Sequence, residues 1–480
     1  MKKIYLVHPQ KIGTIAPELY GHFIEHIGGV FYDGLWVGKD SPIPNIRGFR
    51  KDLVEKLKAI HPPVLRWPGG CFAETYDWRD GIGEERPTRI SWWTGRDGRY
   101  EPNAVGTHEF MDLCEMVGAK AYFAANLTTV SPLHIRDWMD YCLSPRGTTT
   151  LAKEREKNGH PEPFDIPFWG IGNENWGGGG RMRPEFYADE YRRFATVLRN
   201  AAGDTEFYAC GSDSEDYNWT HGVVPGLKDR RGRIDAEGFA MHYYCGKAGD
   251  PVAFTEEEWD ELIAKAQKME AIIKRNWNII CAHGAQDKLK LIVDEWGCWH
   301  PDGSGPSKGY NLFEQQSTMR DAMVAALTLN IFNNHCDKVR MANVAQLVNN
   351  LHCLFLAGGA NCIVTPTYHV FDLYKGHQGA EAIQVIADDQ LSVSASVKDG
   401  KLLVTVGNLS CREDATFTLE SLGLSLAAKG KGRLLAHGDL HAHNTFEEPE
   451  RVQPVDFEFD ADQPVSLPKG GIAALEVEII

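Results

Sequence analysis

A chain of 480 residues exceeds one ordinary domain, and 43% hydrophobic with 24% charged residues describes a globular protein with a substantial core. Fifty basic against 66 acidic residues leave a net charge of −16, which disfavours nucleic acid or an anionic membrane as partner, since both are held through basic patches. The eleven cysteines are odd in number and scattered without a C-x-x-C spacing, so neither a disulfide framework nor structural zinc is expected and a reducing cytoplasm fits best.

The start, Met1 to Pro9, carries two lysines and only a short apolar run, unlike a secretory signal, and nothing approaches the ~18 apolar residues that span a bilayer. Ile4 and Leu6 alternate with Tyr5 and Val7 in a first strand, and a linker leads to Pro17. Leu19 to His26 reads as a strand ending in Glu25 and His26. A helix over 49–60, with Leu53, Leu57 and Ile60 on one face, precedes the strand Val64 to Trp67, closed by Pro68-Gly69-Gly70.

Thr107 is placed to cap a helix carrying Phe110, Leu113, Cys114 and Val117, with Gly118 as its stop. Ala121 to Asn126 is a strand, and so is Phe168 to Glu174, which runs into Gly177–Gly180 and a helix from Pro184. Short strands over 207–211 and 238–242, a long helix over 256–277, a strand over 289–295, a helix near 318–331 and a strand over 339–346 complete the pattern.

Eight strands, mostly followed by helical patterns, predict an α/β chain built on a (β/α)8 TIM barrel. In that fold the active site lies at the C-terminal strand ends, where Glu25, Glu174, His242, Glu295 and Gln346 all fall. Beyond about residue 365 the pattern turns to alternation, with a hairpin at Asp399-Gly400 and runs over 415–419, 455–459 and 472–480. An all-β sandwich, jelly-roll-like and without a helix, is expected there. The division predicted is 18–365 for the barrel and 366–480 for the sandwich, joined by the N-terminal strand in 1–17.

Two apolar strands deliver a glutamate beside tryptophan: Glu174 between Trp169 and Trp176, and Glu295 before Trp296. Desolvation raises a carboxyl pKa and suits a general acid, and paired carboxylates on separate strand ends suit hydrolysis of a sugar linkage. A strand-end salt bridge is the plainer role for either glutamate. Strand alternation points Asp294 and Glu295 opposite ways, so one of the two is expected to face the site.

The glycine run lacks the Lys-Ser/Thr of a P-loop. His22, His26, His242 and His300 lie near strand ends, but among them there is no H-x-H or H-E-x-x-H spacing, and no metal is expected. Cys71 follows a Gly-Gly turn without a nameable histidine partner, so packing or substrate contact is expected of it rather than nucleophilic attack.

Five stretches together resemble the α-L-arabinofuranosidases of glycoside hydrolase family 51: Gly21-His22-Phe23-Ile24-Glu25-His26, Leu65-Arg66-Trp67-Pro68-Gly69-Gly70, Gly172-Asn173-Glu174-Asn175-Trp176, Asp294-Glu295-Trp296 and Thr365-Pro366-Thr367-Tyr368-His369-Val370-Phe371. The resemblance implies a barrel with a β-sandwich from both termini and a retaining, exo-acting enzyme on terminal non-reducing α-L-arabinofuranosyl residues of arabino-oligosaccharides. It matches Glu174 to the acid/base and Glu295, not Asp294, to the nucleophile. Glu25, Asn173 and Gln346 match sugar contacts, His242 and Tyr244 a pair beside the carboxylates, and Trp299 an aromatic wall.

Cys71 stands where many members carry Asn, and it is counted with the substrate-binding positions. The stretch Leu127 to Ser131 departs from the family's form, which leaves the aglycone open. A cytoplasmic homo-oligomer, such as a hexamer or trimer of dimers, without cofactor is implied. The alternatives are another retaining glycosidase on this scaffold, an endo-glucanase or β-xylosidase, or a silent carbohydrate-binding protein.

Overall fold

The computed structural model describes residues 2–480. The chain divides into two compact units, one of Gly21–Tyr243 with Ile272–Glu295 and one of Met1–Tyr20, Tyr244–Ala271 and Trp296–Ile480. Gly21–Phe23, Val64–Trp67, Lys120–Ala125, Phe168–Ile171, Glu206–Asp213 and Gly238–Gly246 are successive neighbours in a closed barrel, which Lys290–Trp299 and Val339–Ala345 complete. Their pairing is parallel, with Arg66 beside Tyr122 and Trp169 beside Phe207. All eight expected strands are present, so the α/β barrel is the fold.

Helices Lys51–Ala59, Pro184–Ala202, Glu256–Ala282 and Met319–Asn334 fall where periodicity places them. Thr107 does not cap its helix. Gly106 is the cap and Glu109 reaches back to accept its N–H at 2.9 Å, which moves Thr107 into the first turn. Helices Pro132–Leu143, Thr150–Lys157 and Tyr217–Gly226 were not expected. Each starts at a capping side chain, Ser131, Thr149 or Asp216, that accepts a backbone N–H.

Trp169 belongs to the core and not to the site. Its ring lies 5.2 Å from Phe123 and 5.3 Å from Trp138, and Trp67 stacks on Phe110 at 5.0 Å beside them. Trp296, in the other unit, likewise packs on Phe332 at 5.5 Å. On a barrel strand, one face lies inward and the other under the helices, so a tryptophan next in sequence to a site residue faces away from it.

The second unit carries a nine-stranded sheet in which the first strand, Lys2–Thr14, runs antiparallel to Glu381–Ile386 and parallel to Ala415–Leu422. Ile4, Leu6, Val404, Phe417 and Leu475 are buried in its core. The hairpin at Asp399-Gly400 has both residues at positive φ, +50° and +76°, as a type I′ turn requires.

Leu426–Leu435 escaped prediction because two inward positions are glycines. A Cβ on Gly432 would lie 2.2 Å from the Phe457 ring, and one on Gly430 would lie 2.5 Å from Phe459. The tail is not free of helix, since Pro366–Tyr374 starts with proline in its first turn. Helix Met319–Asn334 meets the sheet through amides, with Asn330 Nδ2 donating to the Ser392 carbonyl at 3.1 Å and Asn333 Nδ2 to Ser394 Oγ at 3.0 Å.

That helix opens with a buried capping box in which Thr318 Oγ1 accepts from Arg320 N and Asp321 accepts the Thr318 N–H at 2.8 Å. Thr318→Ala is expected to cost about 1–2 kcal/mol, read as a lower thermal midpoint, while Thr318→Ser stays close to the parent.

Candidate active site

Val64–Trp67 sends Arg66 into the barrel as a fully buried cation. Its Nη1 donates to Glu295 Oε1 at 2.8 Å and its Nη2 to Asn173 Oδ1 at 2.6 Å, while Nε lies 3.3 Å from Asp294 Oδ2. Its guanidinium also lies over the Phe23 ring at 4.5 Å. Burial opposes the charge, but Asp294 and Glu295 outweigh it and raise the Arg66 pKa.

Past Ile171 the backbone turns sharply. Gly172 takes φ +88°, and a Cβ there would lie 2.2 Å from Asn175 Oδ1. Glu174 itself takes φ +44°, a region sparsely used by side-chain-bearing residues. The N–H groups of Gly177 and Gly179 donate to its carbonyl at 2.7 and 2.9 Å and hold it there. A Cβ on Gly178 would lie 2.5 Å from Cys71 Sγ, so the glycine run admits close approach of the Cys71 turn.

Of the two expected tryptophan neighbours of Glu174, Trp176 is the one near the site. Its Nε1 donates to the Gly211 carbonyl at 3.0 Å and its ring lies 6.4 Å from that of His242.

The Glu174 carboxyl keeps 19% of its side-chain surface exposed, with Oε1 2.9 Å from His242 Nδ1. Oε2 lies 3.6 Å from the half-buried Cys71 thiol, which donates to it. Burial raises the Glu174 pKa; the His242 hydrogen bond opposes this and the Glu295 charge adds to it. Burial pushes the Cys71 thiol up, with the Glu174 charge in support.

The expectation that only one of Asp294 and Glu295 faces the site is not met. Arg66 engages both, and His242 lies 3.0 Å from Asp294 Oδ1 through Nε2 and 3.5 Å from Glu295 Oε2 through Nδ1. Alternation separates the Cβ directions, but a guanidinium fork and an imidazole are wide enough to meet both carboxylates. Tyr122 Oη donates to Asp294 Oδ2 at 2.9 Å. Burial works against a charged Asp294, and Arg66 and then His242 overcome it and lower its pKa.

Glu25 Oε1 accepts from Phe72 N at 3.0 Å and from Trp93 Nε1 at 3.1 Å. Burial, reinforced by the Glu295 charge, raises its pKa to about 7. A Cβ on Gly69 would lie 2.7 Å from Glu25 Cγ and one on Gly70 2.8 Å from Glu295 Oε1, so the Gly-Gly turn is the floor between these acids. Asn173 Nδ2 is buried without a hydrogen-bond partner, a donor left for a ligand.

Arg66, Glu74, Trp93 and Tyr122 were not singled out from the sequence. Glu74 is buried and braces two loops, accepting from Asn173 N at 2.6 Å, Asn175 Nδ2 at 3.0 Å, Leu127 N at 2.9 Å and Thr128 N at 2.8 Å. Thr128 Oγ1 in turn donates to the Gly179 carbonyl at 2.8 Å, so the divergent stretch after the third barrel strand touches the glycine loop. The signal for Arg66 was a charged residue between Leu65 and Trp67, since a buried charge needs partners.

In the other unit, Tyr244 and Trp299 meet edge to face at 5.2 Å, Trp299 lies 4.9 Å from Phe313 and is 38% exposed, and Gln346 is buried. Three of the strand-end histidines serve the interior. His26 stacks between Phe31 and Phe72 with Nδ1 3.1 Å from Glu101, His300 Nε2 lies 3.0 Å from Asp321, and burial lowers the His22 pKa to about 3.

Among the described residues, two groups have spacing suited to a cation, Glu174 with His242 and Glu295, and Cys298 with Asp321 and His352. In the first, both His242 nitrogens already face carboxylates. In the second, His352 meets the Cys298 N–H at 3.1 Å and the Asp321 carbonyl at 3.0 Å, leaving no nitrogen for an ion.

Loss of the Glu74 brace leaves buried N–H groups unpaired. Glu74→Ala is expected to cost about 2–4 kcal/mol in thermal or urea unfolding and to lower turnover, because the loop bearing Asn173 and Glu174 loses its anchor. An unchanged midpoint would show the loops to be held by other contacts.

Residues 56–260 match the family model described as α-L-arabinofuranosidase 1 domain, and residues 294–469 the one described as α-L-arabinofuranosidase C-terminal domain. A Bacteroides ovatus protein named intracellular exo-α-L-arabinofuranosidase is 37% identical, over 98% of this chain and 95% of its own. The crystal structure of the family 51 arabinofuranosidase from Xanthomonas axonopodis pv. citri is 36% identical with a TM-score of 0.93, over 100% of both chains. The α-L-arabinofuranosidase of Thermotoga maritima, solved as an arabinose complex, is 27% identical with a TM-score of 0.86, again over 100% of both. With its paired acids on a barrel of this form, the chain belongs to the α-L-arabinofuranosidases of glycoside hydrolase family 51.

Proposed function

We propose that this glycoside hydrolase removes terminal α-L-arabinofuranosyl residues from the non-reducing ends of arabino-oligosaccharides with retention of configuration, Glu174 acting as acid/base and Glu295 as nucleophile. The observation that carries this reading is spacing. Glu174 and Glu295 offer carboxylate oxygens within 4.8 Å of each other. Retaining enzymes hold the two carboxyls about 5–5.5 Å apart, whereas inverting ones leave about 6.5–9.5 Å for a water.

The roles follow from the surroundings. Glu295 is paired with Arg66, which favours an anion able to attack the anomeric carbon. Glu174 is the partly exposed carboxyl with a raised pKa, suited to carry a proton to the leaving oxygen. Glu295 bonds to the anomeric carbon as the glycosidic C–O bond breaks and the Glu174 proton passes to the aglycone oxygen. Water then attacks the same carbon, Glu174 takes its proton, and the electron pair of the ester bond returns to Glu295. Glu25, Cys71, Asn173 and Gln346 are assigned to contacts with the arabinose, His242 and Tyr244 to positions beside the two carboxyls, and Trp299 to the wall of the site.

A cytoplasmic setting fits this reading. All eleven cysteines are free thiols, the Bacteroides ovatus relative is named intracellular, and among the described residues no helix is long and apolar enough to cross a membrane.

Glu174→Ala is expected to slow cleavage of poor leaving groups by about 10²–10⁴-fold and activated aryl arabinofuranosides far less, because an activated group departs without protonation. Glu295→Ala should lose turnover on both. Equal losses on all leaving groups in the Glu174 variant would remove it from the acid role. The acid must be protonated in free enzyme, so kcat/KM should fall as pH rises through the Glu174 pKa, above the ordinary carboxyl range. Glu174→Ala should flatten that basic limb in a pH series.

A further inference from the structure

His242 touches three carboxylates at once, Glu174 and Glu295 through Nδ1 at 2.9 and 3.5 Å and Asp294 through Nε2 at 3.0 Å. The anions among these, Asp294 at Nε2 and Glu295 at Nδ1, flank the ring from both sides and favour its imidazolium form, in which Nδ1–H donates to Glu174. Burial disfavours that charge, but Glu295 and Asp294 outweigh it and hold the His242 pKa well above its ordinary value. Asp294 is itself pinned, by Tyr122 Oη at 2.9 Å and Arg66 Nε at 3.3 Å on its other oxygen. The next titratable groups outward are Cys71 and Asp213 beside Glu174 and Glu25 beside Glu295.

We propose that Asp294 is a positioning residue for the second half-reaction: it anchors His242 so that the Nδ1–H, shared by Glu174 and Glu295 in free enzyme, passes wholly to Glu174 once Glu295 is esterified. This inference rests on the acid/base and nucleophile roles given above. Charge balance supports it. With a proton on Glu174, the anions Glu295 and Asp294 offset the cations Arg66 and His242. In the glycosyl-enzyme, Glu295 is a neutral ester and Glu174 an anion, so Glu174 and Asp294 offset the same two cations.

The set is therefore neutral on both sides of the first step, and the imidazolium has one reacting carboxylate left to serve. Held by His242, Glu174 lies ready to accept the proton of the attacking water as the ester C–O pair returns to Glu295. Asp294 contributes no atom to either bond change.

Asp294→Asn keeps the shape and removes the charge. With an activated aryl α-L-arabinofuranoside, kcat is expected to fall about 10–100-fold with KM falling in parallel, while kcat/KM, which reports formation of the glycosyl-enzyme, stays within about threefold. Intact-mass measurement should then show the glycosyl-enzyme accumulating. Sodium azide, an anionic nucleophile that needs no base, should restore kcat by forming the arabinofuranosyl azide.

Equal falls in kcat and kcat/KM without azide rescue would overturn the proposal and leave Asp294 a structural residue. Glu174→Ala is run beside it: lack of azide rescue there would instead overturn the acid/base reading, whereas rescue in Glu174→Ala but not in Asp294→Asn defeats this inference alone. Should Asp294→Asn fail to fold, Tyr122→Phe, which removes one hydrogen bond to Asp294, should shift the same ratios in the same direction by a smaller factor, and its failure to do so counts equally against the proposal.

Discussion

A single buried guanidinium holds the centre of this enzyme together. Arg66 leaves the second barrel strand and meets Asp294, Glu295 and Asn173 with separate nitrogens, in a place where none of these groups is left to bulk water. Such a set is a weak source of stability, because desolvating each ion costs about as much as their attraction returns. Its value is geometric. A planar fork fixes the separation and tilt of each acceptor, and those acceptors belong to two other stretches, Asn173 just past the strand Phe168–Ile171 and Asp294 and Glu295 within Lys290–Trp299. The glycines after Trp67 follow from the same constraint, since a side chain at Gly70 would collide with Glu295 and one at Gly69 with Glu25.

Around this centre the chain is irregular, and irregular buried backbone needs partners that no helix or sheet supplies. Glu74 provides them. One carboxylate accepts from the loops that follow the third and fourth barrel strands, and it sits on the short turn that also carries Cys71. The position of Glu174 is thus set from two sides, by the Glu74 brace through Asn173 and by the glycine N–H groups on its own carbonyl. Beneath the strand, Trp169 packs in the cluster of Trp67, Phe123 and Trp138. A rigid aromatic layer below and a hydrogen-bonded cradle above leave the carboxyl little freedom.

The barrel was legible because short apolar strands alternating with amphipathic helices leave a period change at every boundary. The strand-end acids were legible for a related reason: a carboxylate closing a run such as Leu291-Ile292-Val293 has no place in a core. What escaped was set by tertiary contact. Glu74 looks like any polar residue of a turn, and only the folded chain brings four donors to it. Gly430 and Gly432 hide a strand because Phe459 and Phe457, on a later strand, fill their places. The tryptophans near the two glutamates misled: Trp296 follows Glu295 on one strand and so faces the other side, and Trp169 lies within a strand that ends before Glu174. Alternation allowed only one of Asp294 and Glu295 to face the site, yet Arg66 and His242 are large enough to meet both.

Glu174 sits at φ +44°, where an ordinary side chain is held at a cost of about 1 kcal/mol or more. A relaxed backbone would continue the strand and direct the residue up or down the barrel wall. The turn at Gly172 and the left-handed Glu174 instead place its carboxyl within hydrogen-bond reach of His242, on the same imidazole that faces Glu295. Strain in the backbone is thereby exchanged for a fixed distance between two carboxyls, the quantity on which the proposed double displacement depends. In the proposed reading, the same carboxyl on a relaxed, mobile loop would keep its acidity but have no defined spacing from Glu295, and so no commitment to one stereochemical course.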